Sequence, residues 1–492
     1  MKNLFVFFLF LFIAASLNAQ WQPEVRLTND PTNSYTSFGD ARCIAADGNV
    51  IHVVWYDGVT IAEGNWKIYY KRSTDGGLTW SANVNLSNNV SIAYNPAIAV
   101  SGSYVHVVWY DNRDANLDGN MEEYYKRSTD GGITWGPEIR LTNNTFKSLH
   151  PSIFASGLNL HLVWNDNRDG NYEVYYKNSS DGGDTWSADL RLSNTASKSW
   201  MPSVAISGSV VHVVWHDSTA GNWEIYYKRS TNGGISWGAD TRLTNNSASS
   251  QWATLAVSGS IVHIAWTDDR TGTLDNIYYK RSTNGGSTWG ADTKLSMKNS
   301  NNDSFPSLAV NGSNVHLVFY GYRSKSHYDI IYKTSTNAGV TWGSDVQLTN
   351  NPAASNIPSI AVSGSNIHVI FRDWRDGTNS EIYYKRYGTS LQKSLAAVEQ
   401  EEGLPTEFQL MQNYPNPFNP TTSISFSIPQ AVFVTLKVYD MLGREISTLV
   451  NGELEAGYHE VNFDASKLAS GIYFYKLQVG GFVDMKKMIL TK

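Results

Sequence analysis

Ser128-Thr129-Asp130-Gly131-Gly132-Ile133-Thr134-Trp135 decides the fold, because the chain repeats it. The pattern S-x-[DN]-x-G-x-[TS]-W ends at Trp80, Trp135, Trp186, Trp237, Trp289 and Trp342, at intervals of 55, 51, 51, 52 and 53 residues. Its chemistry is that of a turn. Asp75, Asp130 and Asp181, and in later copies Asn232, Asn284 and Asn337, have short polar side chains that bond to their own turn backbone. Gly77 and its equivalents supply positive φ, and the closing Trp packs between neighbouring sheets. Upstream of each box stands a Tyr-rich strand, such as Val174-Tyr175-Tyr176-Lys177. Before it comes a strand of the form Val105-His106-Val107-Val108-Trp109, and before that a segment like 358–364, P-S-I-A-V-S-G. Downstream lies a polar strand, such as Pro137-Glu138-Ile139-Arg140-Leu141-Thr142.

Four short strands per unit, stacked in sequence, predict a β-propeller. The box occurs six times, but the histidine strand occurs seven times, at His52, His106, His161, His212, His263, His316 and His368. The N-terminus accounts for the difference. Trp21-Gln22-Pro23-Glu24-Val25-Arg26-Leu27-Thr28 nearly repeats the stretch from Trp135 to Thr142, so it reads as an outer strand with no blade before it. The last unit, ending near Tyr387, lacks an outer strand. The two fragments make one blade, which leaves no free sheet edge. The expected fold is all-β: a seven-bladed β-propeller over residues 20–388, closed by its N-terminal strand, followed by a small C-terminal β-sandwich.

The boxes resemble the Asp-box, or BNR, repeat best known from sialidases. The resemblance implies that they lie in the turn from third to fourth strand, away from the ligand face, as structural elements. Sialidases also carry a Tyr nucleophile with a supporting Glu, an Asp acid/base, an Arg triad and an Arg-Ile-Pro motif, usually on six blades. No Arg-Ile-Pro occurs here, so the resemblance covers the fold of residues 21–388 and not the active site.

The two ends read differently. Lys2, an apolar run from Leu4 to Ala15 and the site Leu17-Asn18-Ala19 predict a signal peptide over residues 1–19. The run is too short for the ~20 residues of a spanning helix, and no later segment is apolar enough to span. Residues 389–404, with Glu399-Gln400-Glu401-Glu402, read as a linker. Beyond it come Tyr414-Pro415-Asn416-Pro417, Val438-Tyr439-Asp440 with Gly443-Arg444, Leu468-Ala469-Ser470-Gly471-Ile472-Tyr473 and the terminal Lys487-Met488. In that order these motifs resemble the C-terminal sorting domain of type IX secretion cargo, over residues 405–492. The resemblance implies a partner in the type IX machinery, passage across both membranes, and a secreted or cell-surface protein.

Composition narrows the function. Among 492 residues, 38 Lys+Arg against 44 Asp+Glu give a net charge of -6, with no basic excess for nucleic acid. The single Cys43 excludes a disulfide framework. The second-to-third-strand loops repeat a W-x-D-x-R-D motif around Arg113, Arg168, Arg270, Arg323 and Arg375. A ring of these forks could bind a carboxylate; the structural alternative is salt bridges locking neighbouring loops. The strand histidines sit one per blade, which excludes a shared zinc. Asp114, Asn116 and Asp118 open like a calcium loop, but Tyr125 stands where the twelfth-position Glu belongs.

What breaks the repeat is aromatic. Trp66, Trp200, Trp223, Trp252 and Trp374 belong to no lattice position, and Tyr94, His150, Phe305 and Tyr322 join them on the expected ligand face. Inter-blade packing is the structural alternative, above all for the equivalent Trp66 and Trp223. Aromatic platforms beside Asn, Asp and Arg suit sugars or extended peptides. The sequence thus points to an exported, non-catalytic propeller binding a glycan or protein ligand, with a sialidase-like exo-glycoside hydrolase as the alternative. It singles out no catalytic residue and no cofactor.

Overall fold

The computed structural model describes residues 19–38, 41–58, 66–87, 92–113, 120–272, 274–297, 301–323, 327–377, 379–388, 407–411, 413, 416 and 418–491. Among them the structure is all-β, without a helix, and no helix is long and apolar enough to cross a membrane. The signal-peptide run, the linker and the calcium-like Asp114, Asn116 and Asp118 lie outside the described residues. The chain divides into two compact units, Met1–Ser390 and Leu391–Lys492.

The first unit is built of antiparallel sheets, numbered here in chain order. Sheet 2 runs Ala93–Ser101, Tyr104–Asp111, Glu122–Ser128 and Ile139–Arg140, each strand pairing with the next. Sheets 3 to 6 repeat this order over 148–191, 199–242, 250–294 and 301–347. Sheet 1 splits its first strand into Asn33–Tyr35 and Ile44–Asp47, both paired with Val50–Gly58; Lys67–Ser73 and Val84–Asn85 follow. Sheet 7 holds Ser355–Ser363, Asn366–Asp373 and Glu381–Gly388. Its outer edge comes from the N-terminus: Gln20 pairs with Gly388 and Val25 with Tyr384. Four-stranded antiparallel sheets of this kind are consistent with propeller blades.

The second strands are buried on both faces, so each sheet is covered on both sides. In sheet 2, Trp109 packs with sheet 1, while Val108 and Tyr125 pack with sheet 3. One contact recurs between sheets. Each strand histidine sets Nδ1 2.7 Å from the hydroxyl of a third-strand Tyr: His52–Tyr70, His106–Tyr125, His161–Tyr176, His212–Tyr227, His263–Tyr279, His316–Tyr332 and His368–Tyr384. The same Tyr meets the box Trp of the next sheet edge-on, as in Tyr70–Trp135 (4.8 Å) and Tyr125–Trp186 (5.3 Å). Sheet 7 has no box, and there Trp21 takes the place, 5.0 Å from Tyr332. Tyr384 of sheet 7 in turn meets Trp80 of sheet 1 at 4.9 Å. Such pairs add about 0.5–1.5 kcal/mol each beyond the area they bury. The contact also explains one glycine: Gly132 has φ 80°, and a Cβ there would overlap the Tyr70 hydroxyl.

The first strands face one another across the middle of the unit. Val204 N donates to Ser152 Oγ (3.4 Å), Leu308 N to Thr254 Oγ1 (3.3 Å), Ile360 N to Ser307 Oγ (3.4 Å) and Cys43 N to Ser359 Oγ (3.1 Å). Arg42 reaches across to the Leu255 carbonyl at 2.9 Å.

In the second unit, Gln409–Leu410, Thr421–Ile428 and Gly457–Asp464 form one sheet, and Glu445–Leu454, Val432–Tyr439, Gly471–Val479 and Phe482–Leu490 another. Both contribute to a core that includes Ile424, Phe426, Leu436, Val438, Tyr475 and Leu477. Asp440 holds its turn by accepting from Leu442 N and Arg444 N, both at 2.9 Å.

Candidate binding face

Each sheet of the first unit has two unlike ends. At the hairpin end sit the boxes. Asp130 Oδ1 accepts from Ile133 N (3.0 Å) and Thr134 N (2.9 Å), and Oδ2 from Thr134 Oγ1 (2.6 Å). These bonds favour the carboxylate and hold Asp130 down to about 2. Asp75 and Asp181 repeat the arrangement. Asn232, Asn284 and Asn337 keep the backbone bond, at 2.9 Å each, and donate their amide to the box hydroxyl.

At the other end, five first strands shift register after their first residues: after Tyr94, Leu149, Trp200, Gln251 and Asn356. Sheet 6 shifts twice, around Ser304. An extra residue then sits in the left-handed region: Asn95 (φ 45°), His150 (57°), Met201 (49°), Trp252 (52°), Phe305 (54°) and Ile357 (47°). Positive φ costs a non-glycine residue about 1–3 kcal/mol and clusters where a side chain must be aimed. Opposite the bulges, near their ends, the second strands carry Tyr56, Tyr110, Asn165, His216, Thr267, Tyr320 and Arg372, one per sheet.

The expected aromatic residues gather at this end, in two groups. Trp252 stacks on Phe305 (4.5 Å) and Phe305 on Tyr320 (5.6 Å); Tyr328 meets both Tyr320 and Tyr322. The other group passes from Tyr94 to Tyr110 (5.6 Å), His150 (5.8 Å) and Trp200 (4.9 Å). Asn95 Nδ2 lies 3.0 Å from His150 Nδ1. Trp223 packs edge-on against His216, and Trp374 lies under the guanidinium of Arg372. Burial pushes His150 down to about 4 and, with help from His150, His216 down to about 3, so both imidazoles are neutral at pH 7.

Two expectations need correction. Trp66 is buried among Tyr35, Tyr56 and Tyr94 and offers no platform. The five loop arginines form no receptor ring, nor do they lock neighbouring loops. Each binds inside its own sheet. Arg168 joins Asp166 (2.5 Å) to Asp189 (2.8 Å), Arg270 joins Asp268 to Asp292, and Arg323 joins Asp303 to Asp345. Arg113 pairs with Asp111 and Glu138, and Arg375 with Asp373 and Glu24. Four of them also lie over a third-strand Tyr ring. In four of them the Asp that closes the second strand anchors the fork; Arg323 is held instead by Asp303 of the first strand, since Gly321 stands at the Asp position.

Sequence reasoning missed the second-strand positions and Asn95. A signal was present: in V-H-V-V-W-x-D the His and an aromatic recur in all seven copies and the Asp in six, while x runs through Tyr, Asn, His, Thr and Arg.

Residues 412–491 match the secretion system C-terminal sorting domain, and residues 11–213 match the BNR repeat-like domain. A xyloglucanase of Acetivibrio thermocellus is 25% identical over 214 residues, 39% of this chain and 24% of the relative. The chain thus spans about a quarter of that relative's length. Among solved structures, an ulvan lyase of a new polysaccharide lyase family overlays with a TM-score of 0.53 at 12% identity, over 77% of this chain and 99% of that one. A second polysaccharide lyase gives 0.53 at 9% identity, over 75% and 99%. A Trypanosoma rangeli sialidase gives 0.41 at 12% identity, over 80% and 83%. At these identities the overlays speak to fold alone. The chain carries a BNR repeat-like domain followed by a secretion system C-terminal sorting domain, which marks it for type IX export to the cell surface or the medium.

Proposed function

We propose that residues 20–388 form a seven-bladed propeller, closed by its N-terminal strand, whose bulge end is a non-catalytic glycan-binding face. Residues 1–19 serve as its signal peptide, 389–404 as a linker, and 405–492 engage the type IX machinery. The pairing of Gln20 with Gly388 and the Tyr384–Trp80 contact support the closed ring.

The stacked series Trp252, Phe305 and Tyr320 carries the binding reading. These half-buried rings stand beside residues that the repeat does not require, and a sugar face packs on such rings while its hydroxyls reach nearby polar groups. The relatives by sequence and by fold are polysaccharide-acting proteins, which agrees with a glycan rather than a peptide. The sialidase-like hydrolase is disfavoured because each loop arginine already holds two carboxylates. The test is retention on a glycan array by the full-length protein, its Trp252→Ala variant and its Phe305→Ala variant. Loss of a stacking ring should weaken retention about tenfold, or 1.4 kcal/mol, with the melting curve still cooperative. Unchanged retention in both variants overturns the assignment, and release of fluorophore from a sialoside would restore the hydrolase.

A further inference from the structure

Of the seven second-strand residues opposite the bulges (Tyr56, Tyr110, Asn165, His216, Thr267, Tyr320 and Arg372), only Arg372 carries a charge at pH 7. Its guanidinium carbon lies 3.9 Å over the ring of Tyr35 and 4.1 Å over that of Trp374, so two aromatic rings pack against it. Nε donates to Ser380 Oγ at 2.9 Å. The two Nη atoms have no hydrogen-bond partner among the described residues, and no carboxylate there lies within 4.0 Å of them. Arg372 is half-buried rather than sealed, and neither Nη is among the buried polar atoms left without a partner. Arg375, three residues on, shows the contrast, with Asp373 and Glu24 both bound. Burial pulls Arg372 down to about 10, with Tyr35 and Tyr56 opposing the fall.

A guanidinium packed against two rings, with Nε held by Ser380, leaves its Nη edge for a partner. That edge presents a fixed fork of donors, which matches the paired acceptors of an oxyanion. A partly buried cation without a counter-charge is also unfavourable until one arrives. The ring contacts continue from Tyr35 through the buried Tyr56 to Tyr94, so the fork stands at one end of an aromatic series.

We propose that Arg372 is the anion-recognition residue of this face and that the ligand is an acidic glycan, bearing a carboxylate or a sulfate ester beside a ring-stacked sugar. This rests on the glycan reading above and adds the charge of the ligand to it. The fork is one preorganised guanidinium rather than a cluster, so a single substitution removes it.

The experiment is affinity electrophoresis of the full-length protein through polygalacturonate, carboxyl-reduced polygalacturonate, dextran sulfate and dextran. Wild type should bind at least one acidic polymer about tenfold more tightly than its neutral counterpart. The pair that shows the difference tells carboxylate from sulfate. Arg372→Gln should abolish the difference, and Arg372→Lys should keep it only in part, because an ammonium lacks the fork. Trp252→Ala should weaken retention on acidic and neutral polymers alike. Equal wild-type affinity for a polymer and its neutral form, or an acid preference that survives in Arg372→Gln, overturns the Arg372 assignment and leaves the aromatic face standing. Retention on none of the four polymers overturns both.

Discussion

At the hairpin end of the sheets, one contact is copied with little variation: a histidine bonds a tyrosine, and the tyrosine meets the tryptophan of the next sheet. At the bulge end, the equivalent second-strand position takes five residue types, from Tyr56 to Asn165, His216, Thr267 and Arg372. The difference separates two demands on one repeat. Each sheet must fit its neighbours in the same way, so the lattice residues are held constant. A ligand on the proposed face would touch each sheet differently, which would leave the residues facing it free to diverge.

Acid should produce the largest effect, and it acts on the constant end. Burial lowers the seven strand histidines to about 3 or 4, with nearby arginines adding to it in five of them. The unfolded chain protonates them near pH 6.5 while the folded lattice holds them neutral, so the unfolded state binds more protons in between. The histidines' contribution to stability should be constant above about pH 6.5 and fall toward pH 4, by up to about 1.4 kcal/mol per pH unit for each histidine. Urea titrations at a series of pH values measure this, and a flat profile would rule out the neutral lattice.

A matched pair of substitutions sharpens the contrast between the ends. Trp164 is fully buried in the lattice, and Trp164→Ala should lose about 3–5 kcal/mol. Trp252 is half-buried at the bulge end, and Trp252→Ala should lose only about 1 kcal/mol, the scale of its stacking. Equal losses in chemical denaturation would dissolve the distinction.

A smaller effect should come from the one place where a lattice position breaks its own rule. Glu123 is fully buried, and neither oxygen has a hydrogen-bond partner among the described residues. Its equivalents are Ile68, Val174, Ile225, Ile277, Ile330 and Ile382. Burial first, then Glu122 and Asp166, pushes its carboxyl well above the usual range, so the folded state holds a proton that the unfolded state releases. Its contribution should therefore weaken as pH rises above about 4.3. Glu123→Ile should gain about 1–3 kcal/mol at pH 8, and less at pH 5. A loss at pH 8 would show that the carboxyl has a partner or a task.

Much of this was legible in the residues themselves. The box, the histidine strand and the stray N-terminal Trp21 stretch predict the strands and their order, because turn chemistry and period-two burial are local. The aromatic candidates were found as departures from the repeat, and Trp200, Trp252, Phe305 and Trp374 do gather at one end of the sheets. The loop arginines misled because a repeated Arg looks alike in sequence whether it faces a ligand or a carboxylate. Only the antiparallel register brings Arg168 to Asp189 on a strand 21 residues away.

By itself, then, the sequence determined the repeat, the way its first and last fragments complement each other, and the export module, since each rests on local patterns of residue type. The tertiary structure alone decided which side chains remain available. It buried Trp66, bound five arginines to carboxylates, and packed Arg372 against the rings of Tyr35 and Trp374, which stand more than 300 residues apart in the chain. The physical reason is that a side chain's charge and area are fixed by its type, whereas whether they are already satisfied depends on partners brought close by packing.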